Sequence, residues 1–314
     1  MKRVDILTTN DCNKRCEGCY AALNKKAMSS DIALSIVDWI IQSEDKVQIH
    51  FLGGETLLNV EPVYQILDAL GERCYKNLLY TNGDSLTYDI LKSLKDRKVK
   101  IVLNPTYDSL STVKDKISLV KEVCGGASLS VALTAYNMSR LPELVRLAIK
   151  HNIHIRMNRL YEGGSDKSYL DEYKQQMVRA LGLLLRAVPM WPNYIVDCIY
   201  VTWIGSENPY LCGKDIVTID VDGTIRSCIA DKTSRIGSIF TENNFKYPQR
   251  HDASNYEECQ SCKWLLWCQG GCPYTSKVIT GLYGITKTPF CSAYKAIFPI
   301  LFELTRRWMV HEVQ

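Results

Sequence analysis

The stretch that most narrows what this chain can be is Cys12-Asn13-Lys14-Arg15-Cys16-Glu17-Gly18-Cys19-Tyr20. It holds three cysteines within eight residues, at the spacing C-x3-C-x2-C. It follows residues 4–7, a short apolar run that reads as a first strand. Three thiols on so tight a loop leave no sensible disulfide network, but they suit one face of a metal cluster. A structural zinc site pairs C-x2-C halves with a fourth ligand close by. Here no further Cys or His comes until His50. Three thiolates can instead hold three irons of a [4Fe–4S] cube and leave the fourth iron open to a ligand. Such a loop is a place for chemistry rather than storage. The plainer alternative is a zinc knuckle, or three unrelated buried thiols, since free Cys often serves as a small hydrophobe.

Composition limits the alternatives. With 314 residues, 46% of them hydrophobic and 23% charged, the chain has the make-up of a soluble globular protein, long enough for one large domain and a small one. Its net charge of +4, from 38 basic and 34 acidic residues, is too mild to argue for nucleic acid, and no dense Lys/Arg stripe appears. The first residues lack the apolar core of a signal peptide. The apolar stretch 296–304 contains Pro299 and Glu303 and is no membrane span. Thirteen cysteines in a chain without secretion signals point to metal rather than disulfides. The expected compartment is a reducing, oxygen-poor cytoplasm.

From the start to about residue 158, strand-like and helix-like runs alternate. Strands are expected at 4–8, 47–52, 78–81, 99–103, 129–134 and 153–157, each rich in Val, Ile and Leu. Between them, Ile32, Ile36, Trp39 and Ile40 after a capping Ser30, and Leu110, Val113, Ile117 and Val120, recur at helical spacing. Pro142 suits the first turn of a helix over 141–151. Six such units predict an α/β fold with a parallel sheet and right-handed crossovers. A closed eight-unit barrel needs roughly 250 residues, so the expectation is a partial, open (β/α)6 TIM-like barrel. Sites in parallel α/β folds lie at the C-terminal strand ends, where the cysteine loop falls. A helix is expected at 168–188. Pro189 to Pro192 then mark a junction between a barrel domain over 1–190 and a small C-terminal domain over 191–314, which carries a β-hairpin around Val221-Asp222-Gly223 and helices.

The C-x3-C-x2-C loop after the first strand, followed by an aromatic, resembles the motif of radical S-adenosylmethionine (SAM) enzymes. The resemblance implies that Cys12, Cys16 and Cys19 ligate the catalytic cluster and that Tyr20 flanks the adenine of SAM. In the family the open iron binds SAM, and one electron cleaves it to methionine and a 5′-deoxyadenosyl radical that takes a hydrogen from substrate. Gly53-Gly54-Glu55 ends the second strand and is similar to the family's GGE, whose backbone meets the SAM amino group; by itself it is also an ordinary strand-to-helix turn. Tyr80-Thr81-Asn82-Gly83 resembles its TNG, with Asn82 facing SAM or merely making the turn. After the fourth strand the family's Ser and Asp-Gly are absent, and Asn104 stands in for the ribose contact. Arg156 to Gly164 resembles an Asn-Arg stretch of peptide-modifying members; the alternative is a structural arginine.

Seven more cysteines follow at Cys212, Cys228, Cys259, Cys262, Cys268, Cys272 and Cys291. With Gly223-x4-Cys228 and Gly270-Gly271-Cys272, they resemble the SPASM extension, which holds two auxiliary [4Fe–4S] clusters. The resemblance assigns Cys259, Cys262, Cys268 and Cys291 to the distal cluster, and Cys212, Cys228 and Cys272 to the nearer one. Three clusters and SAM are therefore expected. Relatives place another Cys just before Cys212, where this chain has Ser206, Glu207 and Asn208. Cys198, fourteen residues upstream, either supplies the fourth ligand or leaves an open iron. A pair of zinc ribbons is the alternative for this set. Cys74 and Cys124 are expected as buried thiols in or beside helices, and the five histidines have no ligand spacing.

The function implied is radical modification of a ribosomally synthesised peptide, such as a thioether or carbon–carbon crosslink. Alternatives are formylglycine formation, as by sulfatase-maturing enzymes, or a non-catalytic electron carrier. Maturing enzymes carry an Asp directly after the counterpart of Cys228, where this chain has Ile229 and, later, Asp231. A flavodoxin- or ferredoxin-type donor is expected. Strand 1 starts at Val4 and leaves no room before it for a leader-binding module, so a separate recognition protein, or direct binding of a short peptide, is implied.

Overall fold

The computed structural model describes residues 3–21, 23–42, 46–160, 166–187, 194–196, 216–241, 256–283 and 287–312. Cys198, Cys212, Tyr161 to Gly164 and the junction at Pro189 to Pro192 lie outside them. The chain forms two compact units interleaved in sequence, one from residues 1–104, 115–127 and 211–248, the other from 105–114, 128–210 and 249–314.

In the first unit, β1 (Arg3–Thr9), β2 (Val47–Gly53), β3 (Cys74–Thr81) and β4 (Val99–Leu103) pair in that order and in parallel. The helices α1 (Ser30–Ile41), α2 (Glu61–Leu70) and α3 (Tyr88–Asp96) return the chain between them. On the other flank of β1 lies β8 (Ile216–Ile219), also parallel, continued by the antiparallel β9 (Thr224–Arg226) and β10 (Arg235–Ser238). The expected hairpin is therefore present, and its first strand widens the sheet at β1. Val4, Ile6, Ile49, Phe51, Leu79 and Ile101 of the sheet are buried, as are Ile36, Val37, Trp39 and Ile40 of α1, which packs on α2. Each such side chain contributes about 1.5–3 kcal/mol of burial, as an upper bound. The cap of α1 is Ser29, whose side chain accepts from the Ile32 N–H. That is one residue before the expected Ser30, which is already helical.

In the second unit, β5 (Ser128–Leu133), β6 (His154–Arg159) and the short β7 (Tyr194–Val196) are parallel. Of α4 (Leu110–Cys124), residues up to Lys114 belong to this unit and those from Asp115 onward to the first; its Val113, Ile117 and Val120 are buried, as their spacing predicts. Pro142 sits in the first turn of α5 (Leu141–His151). The amphipathic α6 (Lys167–Arg186) packs on α5 and on α10 (Cys291–Glu312). The architecture is the expected α/β arrangement of parallel strands and return helices. Cys74 opens β3 rather than lying in a helix, and both it and Cys124 are half-buried. Among the described residues no helix is long and apolar enough to cross a membrane.

Candidate functional site

The C-terminal ends of β1 to β4 bring together the loop of Cys12, Cys16 and Cys19, the Gly53-Gly54-Glu55 turn, the Asn82 turn and Asn104. The loop is fastened at its root. The Gly54 N–H donates to the Thr9 carbonyl at 2.7 Å and the Glu55 N–H to the Asp11 carbonyl at 2.8 Å. A side chain at Gly54 would place its Cβ 2.1 Å from the Asp11 oxygen and 3.0 Å from the Cys12 Cβ. Such a contact is impossible without moving the loop. The sequence suggests that these glycines let a ligand approach, but the neighbour that demands their bareness is the cysteine loop itself.

Glu55 turns inward and is 1% exposed. Its carboxylate accepts from the Thr81 hydroxyl at 2.6 Å, the Asn82 N–H at 2.7 Å and the Leu57 N–H at 3.1 Å. Burial raises its pKa, against the pull of these donors. The side chain thus locks the second strand end to the third. Asn82 and Asn104 head equivalent turns, the Asn104 N–H donating to the Thr81 carbonyl at 2.8 Å.

Within the loop, Cys12 and Cys16 are half-buried and Cys19 is exposed. Burial pushes the Cys12 thiol up, and Glu55 and Cys19 add to this. The Lys14 N–H donates to the Cys12 sulfur at 3.4 Å, and the Arg15 guanidinium donates to the Cys12 carbonyl at 2.7 Å. Tyr20 directs its hydroxyl to the Gly53 carbonyl at 3.3 Å. Burial, followed by the Cys19 charge, holds its phenol well above the usual range. Outside the loop, Asn82 donates to Asn13 at 2.7 Å, and Asp84 meets Asn13, Lys14 and Lys116. Nothing in the sequence singles out Asp84 or Lys116. Each is one charge among many, and only the fold brings them to the loop.

A second group of thiols lies within the other unit. The charges of Cys259, Cys262, Cys268 and Cys291 act on one another. Burial pushes the Cys268 thiol up to about 12, and Cys291 and Cys259 add to the rise. Gly271 makes the convergence possible. Its φ of +94° suits a residue without Cβ, and a Cβ there would meet that of Thr288 at 2.4 Å. The Gly271 N–H donates to the Cys268 carbonyl and the Thr288 N–H to the Gly270 carbonyl, both at 2.8 Å. The Cys268–Cys272 turn is thereby laid on the segment leading to Cys291. Aromatic rings hold the same region. Trp264 and Trp267 pack on Phe298 at 5.4 and 6.1 Å between centroids, and the stack continues through Tyr294, Phe290 and Tyr173. Cys272 caps α9 (Pro273–Thr280) in this unit, whereas Cys228 lies in the first unit, on a turn closed by Ser234.

Arg159 is 2% exposed. It donates to the Tyr294 hydroxyl at 3.1 Å and to the Leu160 carbonyl, and it lies over the Phe290 ring. This is the structural one of the two roles open to it.

The thiol chemistry suits iron–sulfur ligation, because soft thiolates select such clusters. A mononuclear zinc site draws its ligands to about 2.3 Å from one point. Among the described residues, no three His, Cys, Asp or Glu side chains are gathered for a single ion.

Comparisons with known proteins agree. A family model described as a 4Fe-4S single cluster domain matches residues 2–110. The fold matches native anSMEcpe with bound AdoMet at a TM-score of 0.77, with 19% identity and all of both chains covered. It matches anSMEcpe with bound AdoMet and the Cp18Cys peptide at 0.74, with 19% identity and 99% of each chain covered. For Streptococcus suis SuiB bound to precursor peptide SuiA the TM-score is 0.67, with 17% identity over 92% of this chain and 75% of that one. A curated relative, the uncharacterized protein MJ0907 of Methanocaldococcus jannaschii, is 23% identical over 275 residues, which are 79% of this chain and 92% of its own. These findings bear out the fold expected from the cysteine motifs, and the family model bears out an iron–sulfur cluster domain over residues 2–110.

Proposed function

We propose that this chain, which has the radical SAM fold with a SPASM-type extension, is a radical SAM enzyme that modifies a ribosomally synthesised peptide. The observation that carries the reading is the convergence of the Cys12/Cys16/Cys19 loop with Gly53–Glu55 and Asn82 at one set of strand ends. The peptides bound to anSMEcpe and to SuiB in two structures of matching fold support a peptide substrate.

Cys12, Cys16 and Cys19 would hold the catalytic cluster. A cluster held there would supply one-electron reduction of bound SAM, the source of radical chemistry on a substrate. The protein's part is placement. Gly53 and Gly54 hold the loop close to β2, Glu55 joins the ends of β2 and β3, and Tyr20 braces the Gly53 carbonyl. Asn82 and Asn104 offer side-chain amides at the neighbouring strand ends for the rest of SAM. Cys259, Cys262, Cys268 and Cys291 would hold one auxiliary cluster; Cys228 and Cys272, with Cys212 and Cys198, would serve the other. Arg159 fits the structural reading of its stretch, held by the Tyr294 hydroxyl, the Leu160 carbonyl and the Phe290 ring.

The formylglycine alternative needs an acid beside Cys228. Ile229 occupies that place, and the buried Asp231 spends its carboxylate on the Thr233 N–H at 2.9 Å and hydroxyl at 2.8 Å. The test is anaerobic reconstitution followed by incubation with SAM, reductant and candidate peptides made from short open reading frames beside this gene. A mass change in the peptide, dependent on SAM, is expected. SAM cleavage without any peptide change, across the candidate peptides, would sink the peptide reading and leave the radical enzyme standing. No SAM cleavage would favour a simple electron carrier.

A further inference from the structure

We propose that Asp84 is a positioning residue for the cysteine loop, fixing where its cluster faces SAM by tying Asn13 and Lys14 to the turn after β3. The inference rests on the reading of that loop as the SAM-binding cluster site.

The backbone bonds from Gly54 and Glu55 hold only the root of the loop, at Thr9 and Asp11. The span between the first two cysteines is held from the side by Asp84 and Asn82. One carboxylate oxygen of Asp84 accepts from the Asn13 amide at 3.3 Å and faces the Lys14 ammonium at 3.3 Å. The other accepts from Lys116 at 2.6 Å. Lys116 stands on α4 and also donates to the Asn82 carbonyl at 2.8 Å. Asn82 in turn donates to Asn13 at 2.7 Å and accepts from the Asp84 N–H at 2.9 Å.

Asp84 thus joins two loop residues, a helix and the Asn82 turn. Single exposed ion pairs contribute little, but networks with several partners differ. Asn13 and Lys14 directly follow Cys12, so a displacement there moves the first thiolate. Loss of the carboxylate leaves the root contacts, and with them the iron, in place. The cluster then sits less well against the GGE and Asn82 turns, where SAM is to be gripped. Placement errors on the order of an ångström are felt strongly in such sites.

The experiment compares full-length, anaerobically reconstituted wild type, Asp84→Asn and Asp84→Ala by iron content, melting temperature and equilibrium SAM binding without turnover. The reduced-cluster EPR spectrum is recorded as SAM is titrated in. Asp84→Ala is expected to keep wild-type iron and melting temperature while SAM binds about fivefold more weakly. Its SAM-dependent EPR change should need correspondingly more SAM. Asp84→Asn keeps an acceptor for Lys116 and should fall between. Unchanged SAM affinity in Asp84→Ala overturns the inference. So does an affinity that falls only in proportion to iron lost, which would make Asp84 a folding residue. A wild-type protein that loads iron yet binds no SAM overturns the underlying reading instead.

Discussion

The two thiol groups are held by opposite means. The loop of Cys12, Cys16 and Cys19 is fixed by polar contacts at strand ends, with Cys19 exposed and its neighbours bonded through Asn13, Lys14 and Asn82. The group of Cys259, Cys262, Cys268 and Cys291 is fixed by aromatic packing between Trp264, Trp267, Phe298 and Tyr294. Polar strand ends can present a cofactor to a second ligand, because they gather donors and acceptors around it. The rings, of which Phe298 and Tyr294 are each 1% exposed, add few polar groups around the second set of thiols, which suits a cluster that only passes electrons. Four mutual thiols, as against three, make the same point.

Breaking each group separately gives the largest effects. Replacing Cys12, Cys16 and Cys19 by Ala should remove about four irons per chain and all SAM cleavage, leaving the other clusters in place. Cys268→Ala should also remove about four irons but leave SAM binding near wild type. If loss of Cys268 abolished SAM binding as well, the two groups would not be separable. Gly54→Val comes next. Its side chain cannot coexist with the Asp11 carbonyl, so iron in the first site should fall together with SAM binding, measured on the same sample. Full iron with weak SAM binding would place the ligand, not the loop, against Gly54.

Phe298→Ala sharpens the contrast from the other side. Phe298 is 1% exposed, and truncation should destabilise the fold by about 3–5 kcal/mol, read by chemical denaturation. Asn82→Ala, by contrast, should weaken SAM binding only severalfold and barely change stability, since the two side-chain hydrogen bonds it loses, to Asn13 and from the Asp84 N–H, are exposed.

The first half of the fold was legible because its strands are short Val/Ile/Leu runs and its helices keep strict spacing. The six expected strands fall on β1 to β6 with ends moved by a few residues. The place of β8 beside β1 was not legible, because pairing between residues some two hundred apart leaves no local pattern. The cysteines announced themselves by spacing alone. The inward turn of Glu55 and the roles of Asp84 and Lys116 did not, since a carboxylate or ammonium reads the same in sequence whether it faces a ligand, a strand end or water.

The most direct test is the fate of SAM itself. Wild-type protein is reconstituted anaerobically with iron and sulfide, reduced, and given SAM, and the products are separated by chromatography. Formation of 5′-deoxyadenosine and methionine, lost in the Cys12/Cys16/Cys19 triple alanine variant, is the predicted result. An iron-loaded protein that leaves SAM intact, or one that takes up zinc in place of iron, would contradict the account.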